Sequence, residues 1–186
     1  MALMRACAAV AAFIGAAAAM SPAAAFDREN VIGGKQLSSF ASVYIAPVAL
    51  SLEQGRDERP VREKDAARRA SDFHDDLVDE FSGAFEIADA PGAGVLTIEA
   101  TLTKLVATRP TLADFSEQPG LGFESVYAGG AAFSATLSED GETLAEVGDR
   151  HTSSLGDGSP KIATWQDADR AFSQWARQLV DFVEKN

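Results

Sequence analysis

Cysteine and histidine are scarce in this 186-residue chain, which has one cysteine and two histidines. Cys7 lies in an apolar N-terminal run that we expect to be removed. The mature chain is therefore predicted to have no disulfide, thiolate nucleophile or cysteine metal site. His74 and His151 are distant in sequence and show no HExxH-like spacing. We interpret both as surface or boundary side chains, and we predict no metal site.

Positive charge is also scarce, with 16 Lys and Arg against 28 Asp and Glu, a net charge of −12. Removal of the first 25 residues takes Arg5 away, which leaves 15 basic side chains and a net charge of −13. Such a surface disfavours nucleic acid and anionic lipid as partners. We interpret the acidity as a means of keeping an exported protein soluble.

Motifs that carry enzymatic chemistry are missing as well. No Gly-x-Ser-x-Gly nucleophile elbow occurs. The glycine pairs Gly92/Gly94 and Gly120/Gly122 do not open a predicted helix, so neither indicates a phosphate-binding loop. We therefore predict no catalytic residues and no cofactor.

The N-terminal 25 residues are typical of a secretory signal peptide. A short n-region with Arg5 precedes an apolar run, Pro22 breaks that run, and Ala23 to Ala25 offer the small residues that signal peptidase needs. We expect cleavage after Ala25 and a mature protein in the periplasm or outside the cell. A lipoprotein would carry its cysteine at the end of the apolar run, whereas Cys7 lies at its beginning, so no lipid anchor is predicted.

The most regular stretch of the mature chain is 94–106, GVLTIEATLTKLV. Its apolar residues alternate strictly with threonine and glutamate, which predicts a strand with one buried and one wet face. A strand of this length cannot cover its own apolar side. Other elements must therefore pack on it.

Two helices and several further strands are predicted around this strand. One helix is expected over 63–82, where apolar residues recur every three or four positions and Gly83 suits its end. A last helix is expected to begin near Thr164, which could cap it. Residues 26–186 are predicted to form a single domain, an α+β two-layer sandwich. Its four- to five-stranded, mostly antiparallel sheet has two helices on one face. The additional strands are expected at 43–50, 84–88, 131–138 and 143–149.

A segment without a period, 109–129, separates the long strand from the next one. Large apolar residues are frequent in it: Leu112, Phe115, Leu121, Phe123, Val126 and Tyr127. Long irregular loops in compact domains are uncommon and are often functional. Two interpretations stay open, a lid over one end of the core and a surface that binds a partner. We select Phe115, Phe123 and Tyr127 as candidate partner-binding residues.

Several short segments, taken in order, resemble one bacterial family. The chain is similar to domain-of-unknown-function family 3313, DUF3313, over roughly 40–184. The resemblance implies an envelope protein, many members being described as lipoproteins, and it implies no reaction and no catalytic residues. The segments are Tyr44-Ile45-Ala46-Pro47-Val48, Phe73 with Leu77, Pro91-Gly92-x-Gly94-Val95-Leu96, Gly129-Gly130-Ala131, Asp149-Arg150 and Trp175-Ala176.

Two hypotheses of function follow. The first is an exported envelope protein without enzymatic activity, an accessory or interaction module that contacts an envelope protein partner. The alternative is a periplasmic small-molecule or glycan binder, or a hydrolase of unknown mechanism, with its site in a cleft between two long loops. The absence of nucleophile, metal and cofactor motifs favours the first hypothesis. The sequence leaves the oligomeric state open.

Overall fold

The computed structural model describes residues 26–53, 60–118, 120, 122, 125–154 and 162–186. These residues form a mixed α+β fold with three helices and a seven-stranded open sheet. The helices are α1 (Glu63–Ser82), α2 (Leu112–Glu117) and α3 (Gln166–Lys185). The strands are β1 (Arg28–Val31), β2 (Ser42–Ile45), β3 (Ala49–Leu50), β4 (Glu86–Ile87), β5 (Val95–Val106), β6 (Gly130–Glu139) and β7 (Glu142–Thr152).

The sheet is built on the antiparallel run β5-β6-β7. Its strand order is β1-β7-β6-β5-β2-β4, and β3 pairs with β5 beyond β2. β1 adds to β7 in antiparallel orientation, whereas β2, β3 and β4 join in parallel. The sheet is therefore mixed, with long antiparallel strands at its centre and short parallel strands at one side.

The tight turn between β6 and β7 follows from its two residues. Asp140 and Gly141 both have positive φ, 48° and 83°. This conformation gives a two-residue turn whose twist matches that of the strands, and Asp-Gly is among the pairs that adopt it most readily. β6 and β7 therefore form a hairpin, and the strands predicted at 131–138 and 143–149 are its two arms.

Both long helices pack on the same face of the sheet. The alternation of β5 places Leu96, Ile98 and Leu102 on that face, and all three side chains have no exposed area. Phe73 of α1 and Phe172 of α3 stack on each other, with ring centroids 5.0 Å apart, inside the same core. The apolar face predicted for the strand at 94–106 and the one predicted for the helix at 63–82 are therefore buried in the same core.

The number of strands was underestimated, for two reasons. No strand is predicted over 28–31, because an edge strand with all four residues exposed needs no apolar alternation. The predicted strand over 43–50 is divided at Pro47, which has no N–H to donate, into β2 and β3. Both pieces pair in parallel with β5, which the expectation of a mostly antiparallel sheet did not include.

The predicted helix over 63–82 is confirmed at both ends, but the last helix begins differently from the prediction. The residue preceding α3 is Trp165, and it makes no side-chain capping hydrogen bond. The carboxamide of Gln166 instead accepts a hydrogen bond from the Ile162 N–H at 2.9 Å. Thr164 uses its backbone carbonyl to accept the Thr108 N–H at 2.7 Å. No helix in the described part of the chain is long and apolar enough to cross a bilayer.

Candidate functional site

The loop that follows β5 is fixed at its base to the first turn of α3. The carboxylate of Asp167 has no exposed area, and its Oδ2 accepts hydrogen bonds from the Thr108 hydroxyl at 3.0 Å and the Ser153 hydroxyl at 2.7 Å. Thr108 immediately precedes the loop over 109–129, and Ser153 follows β7. Buried carboxylates are costly unless hydrogen-bonded, so these contacts stabilise one arrangement of the three segments.

The returning end of the loop joins the same cluster through its backbone. Tyr127 donates its N–H to the Thr108 carbonyl at 2.8 Å, and Ser153 donates its N–H to the Gly129 carbonyl at 2.9 Å. A Cβ at Gly129 would lie 2.4 Å from Thr108 Oγ1 and 2.9 Å from Asp167 Oδ2. Only glycine lets the chain pass this closely to the buried carboxylate. We call Thr108, Gly129, Ser153 and Asp167 the anchoring cluster.

Within the loop, α2 is a short helix that the sequence analysis missed. The N-cap residue Thr111 and Asp114 form a capping box, in which the Asp114 carboxylate accepts the Thr111 N–H at 2.7 Å. A Thr-x-x-Asp spacing after Pro110 was the available signal. The helix has only six residues, too few for an apolar stripe to reveal it.

The three candidate partner-binding residues have different outcomes. Phe115 lies on α2 and is half-buried, and Tyr127 is half-buried next to the anchoring cluster. Phe123 lies outside the described residues. The structure thus places Phe115 and Tyr127 on one loop whose two ends are held together. Their role in binding stays a prediction.

The buried carboxylate of Asp167 is the centre of the anchoring cluster. Asp167 is enclosed, with two hydroxyl groups on one carboxylate oxygen and no solvent-exposed area for a reacting group. The sequence reasoning missed it because its members lie far apart along the chain. The one sign of the cluster in the sequence was the Gly129-Gly130 pair, since adjacent glycines indicate a close approach of the backbone. Gly130 makes a second close approach, because a Cβ there would lie 2.1 Å from the His151 carbonyl oxygen.

The two histidines lie on different elements and have different neighbours. His74 lies on α1, with its Nε2 3.4 Å from the Ile45 carbonyl, and His151 lies on β7 opposite Ala131. No group of three histidine, cysteine, aspartate or glutamate side chains suited to a metal ion occurs among the residues that the structure describes.

An acidic seam runs between α1 and α3 on the outside of the helix layer. Arg69 pairs with Asp72 and, at 2.6 Å, with Asp169. Farther along, Asp76 accepts the Ser173 hydroxyl at 3.0 Å. Burial raises the pKa of both Asp76 and Asp169, and repulsion among the neighbouring carboxylates raises it further. Hydrogen bonding from Ser173 and the charge of Arg69 oppose these shifts.

An open pocket of about 350 Å³ lies at the other end of the molecule from the loop. Seventeen helical residues, or about 25 Å, separate Asp167 in the first turn of α3 from Glu184 at its end. The pocket is therefore not the cleft between long loops that the alternative hypothesis requires. It is lined by Ser38, Phe40, Ala41, Ala84, Phe85 and Glu184.

Comparison with known protein families identifies the family of this chain. The model of a family described as "Protein of unknown function (DUF3313)" matches residues 23–179, most of the sequence. The chain belongs to DUF3313. The resemblance seen in its short motifs is thereby confirmed. No curated protein matches this DUF3313 chain.

Several solved structures are similar to this DUF3313 protein at low sequence identity. The PelC dodecamer from Paraburkholderia phytofirmans is 11% identical, with 81% of this chain and 97% of that chain covered and a TM-score of 0.45. A Xanthomonas campestris protein assigned to DUF330 is 13% identical, with coverages of 77% and 84% and a TM-score of 0.48. A DUF4136 protein from Bacteroides thetaiotaomicron is 9% identical, with coverages of 84% and 95% and a TM-score of 0.40.

The motif residues of this DUF3313 chain have structural roles. Gly129 gives the loop its close approach to Asp167. Asp149 on β7 accepts the indole N–H of Trp175 on α3 at 2.8 Å. Phe73 and Leu77 of α1 are fully buried in the core. The short motifs that carried the resemblance therefore describe how the layers and the loop are joined.

Proposed function

We propose that this protein is exported to the cell envelope and works there without enzymatic activity, as an interaction module that contacts another envelope protein through the loop over 109–129. The observation that carries the proposal is the anchoring cluster. A loop that only connected two strands would not need a fully buried carboxylate at its base.

The aromatic side chains on this loop suit protein contact. Phe115 and Tyr127 are half-buried, so each has a rigid apolar surface held in place with part of it accessible. Aromatic residues of this kind dominate the binding energy of many protein interfaces. Holding the loop in one arrangement lowers the entropy lost on binding. Phe123 stays part of the hypothesis on sequence grounds alone.

Export is tested by the intact mass of protein recovered from the periplasm. We expect Phe26 as the first residue and no added acyl mass, because the apolar run is followed by Ala23 to Ala25 and has no lipobox. A different first residue or an acyl mass would contradict this part of the proposal.

The binding role is tested by replacing Phe115 and Phe123 together with serine. We expect an unchanged melting temperature and the loss of an envelope protein that the unaltered chain cross-links and co-purifies with from native envelope. Ile32→Ser is the matched control, because Ile32 is 54% exposed and follows β1, at the opposite end of β7 from the loop. Loss of thermal stability in the double variant would identify the loop as a lid of the core. Unchanged stability with unchanged binding would also contradict the proposal.

A further inference from the structure

The first residue of the predicted mature chain, Phe26, is part of the core. Its side chain is 7% exposed, although the edge strand β1 that follows it is exposed throughout. Its ring lies 5.9 Å from that of Phe133 on β6 and 6.1 Å from that of Phe182 near the end of α3, edge to face in both cases. The first residues of a domain are commonly poorly ordered unless contacts hold them. Phe26 therefore occupies a defined site between the sheet and α3.

The backbone nitrogen of Phe26 also has a defined partner. It donates a hydrogen bond to Oε1 of Glu29 on β1 at 3.0 Å. Glu29 lies opposite Val147, which is buried in the core, and opposite residues of paired strands point to the same side of a sheet. A bend at Asp27 returns Phe26 to this side. The strand thus holds a carboxylate within hydrogen-bond distance of the nitrogen at which the mature chain is predicted to start.

Removal of residues 1–25 changes the chemistry of this nitrogen. While it is bonded to Ala25, it belongs to a neutral amide that has one N–H to donate. As the first atom of the mature chain it is an α-ammonium group, because an α-amino group is mostly protonated at neutral pH. The Glu29 carboxylate then faces a full positive charge at the same position. Hydrogen bonds between charged groups are about twice as strong as neutral ones.

We propose that removal of the signal peptide stabilises the fold directly, because the α-ammonium of Phe26 forms an ion pair with Glu29 that holds β1 and the Phe26 ring in place. The inference rests on the proposed export, since it needs a chain that starts at Phe26. It adds to that proposal a structural role for the cleavage. The precursor is the less stable form, and the domain gains stability at the step that separates it from the signal peptide.

The expected gain is small, because the contact is only partly buried. Exposed ion pairs contribute little, partly because two side chains must give up their freedom to form them. Here the packing of the Phe26 ring against Phe133 and Phe182 already fixes the nitrogen, so only the Glu29 side chain is ordered by the pairing. We expect the free α-ammonium to lower the unfolding equilibrium constant about fivefold.

The experiment compares two forms of the protein by urea denaturation. One form starts at Phe26, and it is made by removing an N-terminal fusion with a protease that leaves no residue behind. The other form starts at Met20, so that the Phe26 nitrogen is an amide and the charged end is six residues away. The first form should have the smaller unfolding constant, about fivefold. Glu29→Gln should remove this difference, because a neutral carboxamide keeps the shape of the side chain and loses its charge.

Asp27→Asn is the matched control, because it removes the same charge at an exposed position next to Phe26 and should preserve the difference between the two forms. Acylation of the α-amine at neutral pH, followed by mass spectrometry of the first peptide, gives a second measurement. The chain that starts at Phe26 should react about fivefold more slowly than its Glu29→Gln variant, since pairing keeps the amine protonated and unreactive.

Equal stabilities of the two forms, a difference that persists in the Glu29→Gln variants, or equal rates of acylation would each overturn the inference. These results are separate from the test of export. A first residue other than Phe26 in the protein recovered from the periplasm would contradict the proposed cleavage, whereas the two defined forms decide whether the ion pair exists.

Discussion

Trp175 of α3 donates its indole N–H to Oδ2 of Asp149 on β7 at 2.8 Å. The tryptophan is 1% exposed, and its ring lies 4.7 Å from that of Phe133 on β6. One side chain thus joins the helix layer to the sheet by apolar packing and by a charge-assisted hydrogen bond. A buried indole N–H without an acceptor would cost free energy, so the position of Asp149 matters for stability.

Removing this acceptor should destabilise the fold. Asp149→Ala is expected to lower the free energy of unfolding by about 1 to 3 kcal/mol, because the buried indole N–H loses its partner. Urea denaturation measures the change, with Asp181→Ala at an exposed position of α3 as the control. A value for Asp149→Ala that is indistinguishable from the control would show that the hydrogen bond contributes nothing.

The centre of β5 should tolerate shape changes and reject charge. Ile98→Leu is expected to cost less than about 1.5 kcal/mol, because it conserves volume. Ile98→Asp should unfold the domain, since it places an unpaired carboxylate in a site with no exposed area. Thr101→Asp, on the opposite face of the same strand, is the control and should stay folded by circular dichroism. An Ile98→Asp protein with an unchanged melting temperature would contradict the observed orientation of β5.

Gly129 should be irreplaceable, whereas a glycine in open space should not be. Gly129→Ala is expected to cost about 1 to 3 kcal/mol, because its Cβ would lie 2.4 Å from Thr108 Oγ1 and force the anchoring cluster apart. Gly92→Ala, with no atom within 4 Å of the added Cβ, should leave the midpoint of thermal unfolding unchanged or slightly raised. Equal melting temperatures for the two variants would remove the structural role that we give to Gly129.

The acidic seam should make the fold more stable as the pH falls. The pKa of Asp76 is raised in the folded chain, mainly by burial. The charged form therefore costs stability above that pKa, and the cost disappears as the carboxylate is protonated. Asp76→Asn should raise the melting temperature at pH 7 by about 1–2 °C, a small gain because the group is partly solvated. The gain should vanish at about pH 4, near the ordinary pKa of aspartate. Asp181→Asn should change neither value, and a gain for Asp76→Asn that is the same at both pH values would contradict the explanation.

The sequence predicted the elements whose local pattern is strong. The stripe of α1 and the alternation of β5 were sufficient, because both elements bury one face and expose the other. β1 was missed because an edge strand with its residues exposed has no such pattern. α2 was missed because it is too short to repeat one.

The anchoring cluster could not be predicted for a different reason. Thr108 and Asp167 are 59 residues apart, and their hydrogen bond depends on where β5 ends relative to α3. A single sequence does not specify that distance. The candidate residues Phe115 and Tyr127 could be selected because large apolar side chains in an irregular segment are visible in the sequence itself.

The pairing of β1 with β7 has a consequence for how the chain folds. Arg28 lies opposite Gly148, so the first strand of the described chain completes the sheet only with a strand about 120 residues later. Closing a loop of that length is slow compared with forming the β6-β7 hairpin. Residues 28–31 therefore have no pairing partner in the sheet until β7 has formed. A chain interrupted before β7 would leave the edges of two strands, β1 and β6, open to aggregation.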